Sequence, residues 1–181
     1  LLMCGAVSAM MILSQAASIA QNEIGMDAVG AAAAVSTIAF FNLAGRLVAG
    51  TLSDKVGRIG VLITGLIFSA MGLSVLMYSG QGDYVFFYCG CILIGISFGT
   101  FMSIYPGFTA DRFGAKHAGV NYGIMFSGFS VAGLMGPIIM QQMLANGMNF
   151  AACCQVGIAF CVLGLAFALV YKKMIEHKKV Q

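Results

Sequence analysis

A chain of 181 residues with 60% hydrophobic and only 8% charged positions is unlike an ordinary soluble domain, which is nearer half apolar and a quarter charged. A globule of this size cannot hide so much apolar surface from water, whereas lipid accepts it, and the mean hydropathy of +0.96 agrees. The net charge of +3 sits at the ends of apolar runs and in a short tail rather than in one basic stripe, which argues against nucleic acid as a partner.

The charged residues divide the chain into apolar runs at about 1–20, 28–52, 59–80, 84–110, 118–144 and 149–171. Each is long enough to cross a hydrocarbon core of about 30 Å, which takes roughly 20 helical residues. Helices are expected because backbone groups in lipid must be satisfied within the segment, and the alternation of barrel strands is absent. The predicted class is therefore an all-α membrane protein, with a six-helix bundle over 1–171 and a basic cytoplasmic tail over 172–181.

The first run begins Leu1-Leu2-Met3-Cys4, already apolar and without a charged n-region. It does not read as a signal peptide, and the N-terminal part of a longer polypeptide is expected to precede it. Ser14, Gln15 and Ser18 in its second half are polar and are expected to line a cavity. Glu23 and Asp27 follow, with no basic residue between the first two runs.

The second run carries a charge inside the predicted membrane. Arg46 stands eight residues before Asp54, which marks the edge of the run. At 1.5 Å per residue that is roughly 12 Å of depth, close to the midplane. An arginine there costs about 2.5–3.5 kcal/mol on insertion scales unless it meets water or an anion. Asn42 lies one turn earlier on the same face. A forked guanidinium suits a carboxylate, so a small organic anion is the expected ligand. The competing reading is a structural arginine bonded to carbonyls of a neighbouring helix.

The run ends in Gly50-Thr51-Leu52-Ser53-Asp54-Lys55-Val56-Gly57-Arg58. The glycines permit a tight connection between two close helices. Asp54 is expected to accept from backbone N–H groups at the next helix's N-terminus, or to pair with Arg58, as a clasp that opens and closes.

On the fourth run Cys91, Gly95, Gly99 and Ser103 recur every four residues, as do Gly128, Ala132 and Gly136 on the fifth. Such stripes permit close helix contact. The six cysteines lie in apolar runs without metal-ligand spacing and read as packing residues. Gln141, Gln142 and Gln155 read as interfacial, and His117 and His177 lie far from Arg46 in sequence. No cofactor or metal is implied. Lys55, Arg58, Arg112, Lys116 and the tail residues Lys172, Lys173, Lys178 and Lys179 all fall on one side of the predicted topology. By the positive-inside rule that side is cytoplasmic, and so are both ends of the chain. The tail lysines are expected to touch anionic lipid headgroups.

With these residues in view, the loop resembles the G-x-L-x-D-x-x-G-R motif of the major facilitator superfamily, matched at Gly50, Leu52, Asp54, Gly57 and Arg58. That family carries the motif between its second and third helices and again between its eighth and ninth. The chain then resembles helices seven to twelve, two inverted three-helix repeats whose partner is an N-terminal six-helix half. A narrower resemblance is to the oxalate/formate antiporter family, through Tyr105-Pro106-Gly107, Ala110-Asp111-Arg112-Phe113-Gly114, Asn121-Tyr122-Gly123-Ile124 and Gly136-Pro137. Its oxalate exchanger has an arginine at the place of Arg46 and a lysine at the place of Phe129. The resemblance implies aromatic lining, with Phe98 and Tyr122 as candidates beside Arg46, Asn42 and Phe129.

One cation suits a monocarboxylate where two suit a dicarboxylate. The expected function is secondary transport, by alternating access, of a small organic anion such as pyruvate, lactate or formate across a bacterial inner membrane. The alternatives are transport of another solute, proton-coupled or not, and a non-transporting receptor or assembly module. An intramembrane enzyme is disfavoured because no His or acid lies well inside any run.

Overall fold

The structure, a computed structural model, describes residues 1–114 and 116–180, the last five by backbone alone. Seven helices follow one another: α1 (Leu2–Leu13), α2 (Ala16–Asn22), α3 (Ala28–Val56), α4 (Arg58–Leu76), α5 (Tyr84–Phe113), α6 (Ala118–Ala145) and α7 (Phe150–Val180). The last five are each long and apolar enough to cross a membrane, and α1 with α2 makes a sixth span if the bent pair is counted as one. No strand occurs among the described residues.

The boundaries follow local chemistry. Asp27 precedes α3 and its Oδ1 accepts from the Gly30 N–H at 2.8 Å, satisfying one of the orphan donors of the first turn. Gly57 alone separates α3 from α4, at φ 86° and ψ 148°. Nothing lies within 4 Å of a Cβ placed there, so the need for glycine is one of backbone conformation rather than space. Gly57→Ala is expected to cost about 1–3 kcal/mol for that reason. A thermal unfolding midpoint unchanged by the substitution would contradict it.

The predicted first run is not one straight helix. It bends by 45° between Leu13 and Ala16, without a proline or glycine at the break. The Ser14 hydroxyl donates to the Met10 carbonyl at 2.7 Å, which also receives the Ser14 N–H, while the Gln15 N–H bonds back three residues to Ile12. A serine that doubles on its i−4 carbonyl is a recognised cause of helix bending.

The most extensive helix contact is α3 on α5. The buried face of α3 is Ala31, Ala34, Ile38, Gly45, Ala49 and Ser53, one stripe at helical spacing. It meets the glycine stripe of α5. A Cβ on Gly45 would stand 2.5 Å from the Ile96 carbonyl oxygen, and one on Gly95 2.7 Å from that of Ile38. A Cβ on Gly99 would overlap the Asn42 carbonyl oxygen. On the other side, Gly136 of α6 meets the α1 backbone at Val7 and Met11. Both predicted small-residue stripes are therefore packing surfaces.

The rest of the core lies between α1, α4, α5 and α7, with Phe87, Ile94 and Phe101 of α5 fully buried. Its polar atoms are paired, with Ser8 and Ser69 hydroxyls 3.1 Å apart and Ser97 donating to the Gly65 carbonyl at 2.8 Å. Five of the six cysteines are buried, and Cys89 is exposed. The basic segment expected as a separate tail continues α7 through Val180. The side chains of His177, Lys178 and Lys179 lie outside the described residues.

Candidate functional site

The α3–α5 contact fixes where Arg46 points. Its main chain is held against α5, where its N–H lies 3.0 Å from a Cβ placed on Gly99 and its carbonyl accepts from the Ser103 hydroxyl at 3.0 Å. The side chain leaves this contact and is exposed. Its Nε donates to Asn42 Oδ1 at 2.9 Å, as the one-turn spacing predicts. No carboxylate pairs with it among the described residues. The guanidinium therefore keeps its terminal N–H groups for a further acceptor.

Arg46 and Asn42 border a cavity of about 330 Å³, whose other walls include Val35 and Ile38 of α3 and Leu13 and Ala16 on either side of the broken helix. The break thus lies beside the arginine. Irregular backbone at membrane depth is tolerated where it lines a cavity, and discontinuous helices commonly flank solute sites. The sequence signal for this was the polar pair Ser14-Gln15 within an apolar run.

The remaining candidates divide. Tyr122, Phe126 and Phe129 of α6 and Phe98 of α5 form a continuous ladder, with ring centroids 5.2, 4.7 and 6.0 Å apart in turn. Tyr122, at its more open end, lies within electrostatic range of Arg46. Phe98 is buried in the core and does not border the cavity. Gln15 and Ser18 line a second cavity, of about 300 Å³, with Asn22, Glu23 and Gln141. Ser14 is turned to its own helix.

The expected pairing within the loop motif does not form. Arg58 Nε lies 2.5 Å from Asp111 Oδ2 on α5, and Asp54 is exposed, capping no helix. The reason is that α3 stays helical to Val56, carrying Asp54 on its last turn, while the reversal at Gly57 directs Arg58 across to α5. There its guanidinium lies on Gly107, where any Cβ would overlap it. Gly107 of the Tyr105-Pro106-Gly107 run is thereby explained. Lys55 is exposed, and Gly50 faces the Ser103 hydroxyl across the helix contact.

A bundle of membrane-length helices, with a polar site beside a broken helix, defines a multi-pass membrane protein with a solute-sized opening. The chain belongs to the Major Facilitator Superfamily, a family of transporters, whose sequence profile matches residues 1–180. Over 128 residues it is 33% identical to the uncharacterized MFS-type transporter YhjX of Escherichia coli (strain K12), covering 71% of this chain and 32% of that protein. Over 133 residues it is 33% identical to the aspyridones efflux protein apdF of Emericella nidulans, covering 72% of this chain and 26% of that protein. The chain thus matches about a third of one curated relative and about a quarter of the other.

Proposed function

We propose that this chain supplies one half of a secondary transporter for small organic anions, monocarboxylates of the pyruvate, lactate or formate type, working by alternating access. The observation that carries the reading is the Arg46 guanidinium, bonded to Asn42 and bordering a cavity beside the broken helix. A fixed cation with open fork geometry suits a carboxylate. Phe129 sits in the aromatic ladder and supplies no second cation, which favours one carboxylate over two.

A second six-helix half completes the pathway in this reading. It covers the faces of α3 and α6 that this half leaves exposed, among them Phe40, Leu43 and Leu47 on α3 and Ile124, Val131 and Leu134 on α6. The end of the bundle bearing Lys55, Arg58 and Arg112 faces the cytoplasm of a bacterial inner membrane by the positive-inside rule. The Gly50-to-Arg58 segment at the α3–α4 junction, with Arg58 held by Asp111, is the element whose contacts change as the halves rock.

A second reading, outward transport of a larger apolar solute, is favoured by the walls of the cavity, since Leu13, Ala16, Val35 and Ile38 are all apolar. The name of the efflux relative agrees in direction, outward. Thermal stabilisation of the purified protein by a solute panel separates the two. Pyruvate, lactate and formate should raise the unfolding midpoint, and oxalate less so. Stabilisation by bulky uncharged solutes, with none by carboxylates, would overturn the anion reading.

A further inference from the structure

We propose that the basic end of the bundle carries a second binding site, for a phosphate group, in the cavity where α4, α5 and α7 converge. This cavity measures about 630 Å³ and is lined by Arg58, Arg112 and Lys172. These cations come from three different helices, far apart in sequence. Among the described side chains Asp111 is the one carboxylate that shares the lining, and Arg58 already engages it at 2.5 Å. Three positive charges against one negative leave the cavity with a surplus of two. A phosphate monoester carries close to the two negative charges that balance it, and a diester carries one of them.

The geometry favours a phosphate oxygen over a diffuse counter-ion. Arg112 lies over two rings, its central carbon 6.0 Å from the centroid of Phe108 and 5.6 Å from that of Tyr171. These aromatic contacts take up none of its N–H donors, so the cation is located beside the cavity with its donors open to an acceptor. The first turn of α4 supplies further donors. Its N-terminus has no side-chain cap, and Ile59 and Gly60 of that turn line the same cavity. Unsatisfied N–H groups and the positive end of the helix dipole add to the three side chains.

The walls are not wholly polar. Phe108 and Ile175 line the cavity beside the cations. A phosphate that brings a glycerol or acyl portion with it therefore meets apolar surface next to its charge. The chemistry is shared by an anionic phospholipid headgroup and by a free phosphate, and the two sources are separable. Because the ligand touches three helix ends at once, it also favours whichever conformation keeps those ends together. The site uses none of the side chains that border the Arg46 cavity.

The test is a binding titration of the purified protein by native mass spectrometry, with dioctanoyl phosphatidylglycerol, dioctanoyl phosphatidylcholine and inorganic phosphate as separate probes. The wild type is compared with Arg112→Gln/Lys172→Gln and with Lys172→Arg. Losing both cations should weaken binding about thirtyfold, and the arginine replacement should leave it within about threefold. Phosphatidylglycerol binding that exceeds phosphatidylcholine binding and falls in the double variant identifies a lipid headgroup. Inorganic phosphate binding with the same variant dependence, without preference between the lipids, identifies a free phosphate. Binding of neither phosphatidylglycerol nor inorganic phosphate, or binding that the double variant leaves unchanged, overturns the site. Thermal unfolding of each variant is read in parallel, so that a misfolded protein is not scored as a loss of binding.

Discussion

Replacing Arg46 by alanine is expected to lower kcat/KM for monocarboxylate uptake by roughly thirtyfold to five-thousandfold, corresponding to the 2–5 kcal/mol lost when one member of a desolvated charge pair is removed. Thermal stability should barely change, within about 0.5 kcal/mol, because the side chain is exposed and its one protein partner is Asn42 on the same helix. The combination is what separates a solute site from a structural arginine. A guanidinium that held two helices together would lose stability along with activity, and this one reaches no neighbouring helix with its side chain among the described residues. Arg46→Lys should recover part of the activity, since charge returns without the fork. The measurement is uptake of labelled pyruvate or lactate by the protein in cells or vesicles. Undiminished uptake by Arg46→Ala would end the anion-site reading and leave the fold untouched.

The membrane bundle was legible in the sequence because lipid imposes a simple rule. Charges belong at helix ends, so the positions of Glu23, Asp27, Lys55, Arg58, Asp83, Arg112 and Lys116 outline the spans almost to the residue. The Asn42–Arg46 bond was legible for a similar reason, being a one-turn contact on one helix. Contacts across the chain were not. Arg58 finds Asp111 from 53 positions away, and nothing in the loop motif distinguishes that partner from the nearer Asp54. The polar pair Ser14-Gln15 marked the place of the bend without specifying it, because a serine hydroxyl can either bond its own helix or face a cavity, and the sequence reads the same for both. Phe98 illustrates the converse. The family resemblance implied it as aromatic lining, yet the close α3–α5 approach that the glycines permit places it in the core.

That close approach makes Gly99 the position where a single methyl group should do most harm. Gly99→Ala sets a Cβ onto the Asn42 carbonyl oxygen, and the same Cβ would stand 3.0 Å from the Arg46 nitrogen. Both obstacles are backbone of α3, which has no rotamer to yield, so the helices must separate. The expected cost is about 1–3 kcal/mol of stability, the range for overpacking a tight interior. Separation also moves the turn of α3 that carries Asn42 and Arg46, so uptake should fall further than the loss of folded protein explains. Gly133→Ala is the control, since nothing lies within 4 Å of a Cβ on Gly133 of α6. It should leave both the unfolding midpoint and the uptake rate close to wild type. If Gly99→Ala behaved like Gly133→Ala in both measurements, α3 and α5 would not pack through this glycine, and the support assigned to the Arg46 backbone would be wrong.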